Sequence, residues 1–133
     1  MKTSKKFNTR LKIINYLYKY ELMNENLTSN EAFESGDYSD YEIKIIDNIA
    51  RIYDKLIGTI KNYLIVSWKW ERLAPLEKAL LIYGTFEMQI EDLALVINEV
   101  VVIAKGLIPN DNYQYINSIL DKIGKEYAKI KNN

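Results

Sequence analysis

Cysteine and histidine are both missing from the 133 residues, and the chain has only 2 prolines and 5 glycines. Without cysteine there is no disulfide framework and no thiol nucleophile. Without histidine the usual proton shuttle and the commonest metal ligand are gone as well. A serine nucleophile would then need a lysine base, and neither Ser67 nor Ser118 sits in a motif that supplies one. Neither G-x-x-x-x-G-K-[ST] nor G-x-G-x-x-G occurs, so no recognised glycine loop cradles a nucleotide phosphate. The acidic residues Glu34, Asp37, Asp40 and Glu42 depart from the EF-hand ligand spacing, with the glycine in the wrong place, and read as a solvated loop. These absences predict a protein that is not an enzyme and uses no metal and no cofactor. No apolar run is long enough to cross a bilayer and no apolar signal segment opens the chain, which predicts a cytoplasmic protein with no membrane association.

What is present is a composition 48% hydrophobic and 27% charged, enough for one domain over residues 1–133 with one real core. Lysine plus arginine and aspartate plus glutamate both number 18, so the formal net charge is zero. The average hides a gradient. Lys2, Lys5, Lys6, Arg10, Lys12 and Lys19 all precede the first acid, Glu21, whereas residues 21–54 hold nine acids against Lys44 and Arg51. Charge alone leaves two readings of the basic start open: a solubilising segment, or a contact for nucleic acid.

Hydrophobic periodicity gives an all-α fold of six or seven helices. Apolar residues recur at three- and four-residue steps from Phe7 through Leu11 and Ile14 to Tyr18, predicting a helix over about 7–23 behind a flexible basic arm at 1–6. Residues 24–40 are a polar connector with room for one short helical turn. The stretch 41–65 reads as one long core helix with Gly58 as its weak point. Ser67 could cap a turn carrying Trp68 and Trp70, and Pro75 suits the first turn of a helix running to about residue 89. VINEVVVIAKG (96–106) is rich in strand-favouring Val and Ile, but Asp92 before it as N-cap and Gly106 after it as the C′ residue favour a helix. There Asn98 is expected to be buried, bonded toward Asn117 on the last helix. Pro109 separates that last helix, which Asn110 or Asp111 can cap, and its stripe is Tyr113, Ile116, Leu120, Ile123, Tyr127 and Ile130.

Tyr16, Tyr18 and Tyr20 interleave with the bases of the first helix, and Tyr113 and Tyr115 open the last. That mixture suits single-stranded RNA, where phosphates meet lysine or arginine and unpaired bases stack on rings. It equally suits tyrosines at the edge of a helical core.

Three blocks in order, LEKALLIYGTFEM (76–88), VINEVVVIAK (96–105) and YINSILDKI (115–123), resemble the NusB family of transcription antitermination factors, over residues 68–123 and more weakly over NTRLKIINYLYKYEL. The resemblance implies a compact helical domain of two packed helical subdomains. It also implies an RNA-binding adaptor that pairs with NusE, a small-subunit ribosomal protein, on boxA-type single-stranded RNA within the transcription elongation complex, in antitermination and ribosomal RNA synthesis. On the same ground Lys2, Lys5, Lys6 and Arg10 stand in the place of the family's basic arm, Tyr18, Asp111 and Tyr115 near its RNA surface, and Glu77 on the NusE-facing side. The family's arm carries clustered arginines, whereas here Arg10 stands among lysines, which keep the charge but lose the planar fork. Ser118 replaces a family glycine at an expected close helix contact. Two alternatives follow: a protein-interaction module of the same fold that has lost RNA binding, or a NusB-like domain of the kind found in some ribosomal RNA methyltransferases. No catalytic domain follows Asn133, which speaks against the latter.

Overall fold

The computed structural model describes residues 5–65, 68–109 and 111–131, with the Lys5 side chain outside the described set. Lys2, Ser67 and Asn110, each given a role above, also lie outside it. The described residues form seven α-helices and no strand: α1 (Lys5–Met23), α2 (Asn30–Ser35), α3 (Asp40–Arg51), α4 (Tyr53–Lys61), α5 (Pro75–Glu87), α6 (Leu93–Leu107) and α7 (Tyr113–Lys131), with a 3-10 turn at Trp70–Arg72.

α5 is the axis of the fold. Every residue from Ala79 to Glu87 is buried, so this part of the helix has no solvent face and must be surrounded. α1 covers it most extensively, and α4, α6 and α7 complete the wrap. The α1 stripe Ile13, Ile14 and Leu17 packs inward, with α3 adding Ile45, Ile46 and Ile49 and α7 adding Ile116, Leu120 and Ile123 to one continuous core. Of the expected α7 stripe, Ile130 departs, at 62% exposure.

The helix ends follow capping chemistry. Asp92 accepts from the Leu95 N–H at 3.0 Å, and Pro75 occupies the first turn of α5. Ser39 and Glu42 form a reciprocal capping box, Glu42 N–H donating to Ser39 Oγ at 3.1 Å and Ser39 N–H to the Glu42 carboxylate at 2.8 Å.

Four expectations need correction. The long helix over 41–65 is two helices bent at Ile52, whose backbone (φ −110, ψ 21) leaves the α region. The hydrogen-bond ladder continues across it, Ile52 N–H to Asn48 O at 3.2 Å and Leu56 N–H to Ile52 O at 2.9 Å, so this is a kink and not a loop. It lets α3 lie on α1 while α4 turns onto α5 and α7. No glycine or proline marks it; packing does. Second, α6 runs through Gly106 to Leu107, and its stop is the residue before Pro109: Ile108 is extended (φ −102, ψ 127), as the proline ring demands of its predecessor. Third, Asn98 and Asn117 are both exposed, so neither supplies a buried bond. Asn98 lies across the helix from Val96, Val100 and Ile103, which take the inward face. Fourth, Ser118 is exposed, and the tight helix approach is elsewhere, at Gly84 against Leu120.

Gly58 sits exposed within α4, and a Cβ there would meet nothing within 4 Å. Gly58→Ala is therefore expected to stabilise the protein by roughly 0.5–1 kcal/mol, through helix propensity and reduced freedom of the unfolded chain. A urea midpoint that stays the same or falls would contradict this.

Candidate nucleic-acid interface

The basic face of α1 is less free than the sequence suggests. Arg10 shares a stripe with Ile13, Ile14 and Leu17 at helical spacing, so the packing that buries those residues draws Arg10 in with them. It is 2% exposed, and its Nε donates to Glu87 of α5 at 2.6 Å. Burial works against its charge, but the bond and charge of Glu87, aided by Glu99 of α6, more than offset that and hold the guanidinium protonated. Arg10 is thus no part of an exposed arm, although one of its buried terminal nitrogens, Nη2, has no hydrogen-bond partner.

The other described bases of α1 also face acids. Lys6, with its side chain 67% exposed, lies 3.3 Å from Glu91. Lys12 reaches Glu42 at 3.1 Å, and Lys19 pairs with Glu31. The three tyrosines divide: Tyr16 donates to Thr28 O at 2.6 Å and Tyr20 to Glu31 at 3.1 Å, both buried and both tying the connector to α1. Only Tyr18 is left half-buried at the edge of the core.

The pair Arg10–Glu87, at the last residue of α5, and the pair Lys6–Glu91, just beyond it, show α1 to run antiparallel to α5, since the partner number falls as the α1 number rises. Tyr18, ~12 Å along the axis from Arg10 at ~1.5 Å per residue, therefore lies toward the start of α5. That is where Glu77 stands, its carboxylate accepting from the Ala74 N–H at 2.8 Å. Tyr115 shares the neighbourhood: burial first, and then the Glu77 carboxylate, push its phenol up to about 12. Tyr115, expected near the RNA surface, and Glu77, expected on the partner-facing side, thus sit near each other, with exposed Asp111 just before α7.

The structure adds aromatic residues to which sequence analysis assigned no binding role. Trp68 stacks on Tyr115 with ring centroids 4.2 Å apart and planes 25° apart, and is 38% exposed. Lys78 lies 5.6 Å from the Trp70 ring centre and Lys105 lies 5.1 Å from that of Tyr113. The signal was present as alternation of ring and base in Trp68-Lys69-Trp70, but Trp68 and Tyr115 are 47 positions apart and only the fold joins them. Among the described residues no group of His, Cys, Asp or Glu could hold a metal ion, and no helix is long and apolar enough to cross a membrane.

Comparison with known proteins agrees with this architecture. The NusB family model matches residues 8–125. The transcription antitermination protein NusB of Sulfurovum sp. is 32% identical over 124 residues, spanning 87% of this chain and 95% of that protein. The Nitratiruptor sp. protein of the same name is 31% identical over 122 residues, spanning 86% and 87%. The solved structure of T. maritima NusB superimposes with a TM-score of 0.78 at 26% identity, covering 95% of this chain and 94% of that one.

Proposed function

Because this chain belongs to the NusB family, we propose that it acts as a non-enzymatic RNA-binding adaptor in transcription antitermination, pairing with NusE on boxA-like RNA. The observation that carries the reading is the family match over residues 8–125 together with an all-helical fold that matches a solved NusB structure along nearly its whole length. In this proposal Lys2, Lys5 and Lys6 attract phosphate, Tyr18 and Tyr115 meet unpaired bases, Asp111 accepts from a base edge or ribose, and Glu77 faces the protein partner. Arg10 has a different part: it holds α1 on α5, and so fixes the helix that carries Lys6. Affinity is shared between the two proteins, so that neither surface must bind tightly by itself.

The test is a titration of labelled boxA-like RNA with and without NusE at two salt concentrations. Binding should strengthen with NusE and weaken as salt rises, by a slope of ~0.7 per phosphate neutralised on single-stranded RNA. Lys6→Glu should flatten that slope by about one such contact and leave NusE association unchanged, because Lys6 is exposed and stabilises little through its pair with Glu91. No RNA binding even with NusE at low salt would overturn the reading.

A second reading has an observation behind it: the described bases of α1 at 6, 10, 12 and 19 each stand against an acid. A protein-interaction module that kept the fold and lost RNA affinity would look this way. Capture by NusE with no measurable RNA affinity would select it.

A further inference from the structure

Trp68, stacked on the proposed RNA contact Tyr115, has no part in the set of contacts given so far. Trp68 lies on the connection between α4 and α5, with its ring laid on Tyr115 at the start of α7 and more than a third of its surface open to solvent. Beside it is an open groove of about 300 Å³, lined by Lys61, Leu64, Ile65, Lys69, Trp70 and Glu71 together with Trp68 itself. Glu71 is engaged by Lys61 at 3.5 Å, whereas Lys69 forms no ion pair among the described residues. The burial of such a ring in the core would need no ligand. An indole held flat by one stacked partner and partly open, in a groove shared with a lysine that has no ion pair among the described residues, is instead a platform for a planar group carrying negative charge nearby.

From this we infer that Trp68 is a base-stacking residue of the RNA surface, presenting an aromatic plane, with Tyr115 behind it, to one unpaired nucleobase while Lys69 meets the adjoining phosphate. A stacked backing ring keeps the indole in place before the base arrives, so little side-chain freedom is lost on binding. Every base has a π-face, so this contact is expected to be tolerant of sequence; duplex RNA, whose bases are already stacked, gains nothing from it. A protein partner is the less fitting occupant, because the Lys69 charge answers a phosphate directly. The inference rests on the RNA-binding reading and adds a contact to it.

The experiment uses the full chain with NusE and a labelled, short, single-stranded boxA-like RNA at low salt, followed by anisotropy. Trp68→Ala should weaken binding about tenfold, and Trp68→Phe, which keeps an aromatic plane, no more than about threefold. A second readout needs no loss of binding: RNA should quench the intrinsic tryptophan fluorescence of the unaltered protein, but not that of Trp68→Phe, where only the buried Trp70 emits. If the unaltered protein binds RNA but Trp68→Ala binds within twofold of it and the quench is absent, the stacking role is wrong and the RNA reading stands. If the unaltered protein does not bind RNA with NusE present, both fall. If Trp68→Ala loses NusE while direct RNA affinity is unchanged, the surface belongs to the protein partner and the inference is overturned.

Discussion

Glu87→Ala is expected to destabilise the protein by about 3–5 kcal/mol, lowering the thermal midpoint by roughly 10–20 °C. The magnitude follows from what is left behind. The Arg10 and Glu87 side chains are 3% and 9% exposed and bonded at 2.6 Å, so removing the carboxylate strands a guanidinium between α1 and α5 with no water to solvate it. One of its nitrogens already lacks a partner, and of the groups that favour its charge Glu99 would be the remaining carboxylate. Replacing both partners by apolar residues of similar volume, Arg10→Met with Glu87→Leu, should cost far less than either single change, because the desolvation of two ions disappears together with their attraction. Chemical denaturation of the three variants decides the matter; a loss under about 1 kcal/mol in Glu87→Ala would show that the pair is not closed to solvent. Raised salt should leave the effect largely intact, unlike that of the exposed Lys6–Glu91 pair.

Gly84→Val is expected to cost about 1–3 kcal/mol through overpacking. A Cβ on Gly84 would come within 3.0 Å of both terminal methyls of Leu120, and Val adds two more carbons in the same direction. Both residues are buried on α5 and α7, so the two helices must part or Leu120 must leave its rotamer. Combining Gly84→Val with Leu120→Ala should cost less than the sum of the single changes, since the space opened by one accommodates the other. Strictly additive losses in urea unfolding would show that the helices meet elsewhere.

These two positions illustrate how unevenly the molecule was written in its sequence. Helix existence was legible: periodic apolar residues, Asp92 as cap and Pro75 in a first turn put α1, α5, α6 and α7 where they are, to within a few residues. So was the burial of Val96, Val100 and Ile103, despite their preference for strands. The Ser39-x-x-Glu42 capping box was equally available as the start of α3, hidden in a stretch whose polarity reads as loop. Arg10 could have been suspected too, because it continues the stripe of Ile13, Ile14 and Leu17. A charged residue in line with a buried stripe signals an ion pair as readily as a ligand contact.

The sequence by itself determined the class, the helices, most of the core and, through three ordered blocks, the family; these depend on local spacing, and local spacing is what a sequence records. Only the tertiary structure decided which bases of α1 are spent on carboxylates up to 85 positions away, where the helix over 41–65 bends, and that Trp68 lies on Tyr115. Each of those outcomes is set by which surfaces α5 gathers around itself. A pairing between distant residues, or a kink without proline or glycine, leaves no mark on the residues beside it.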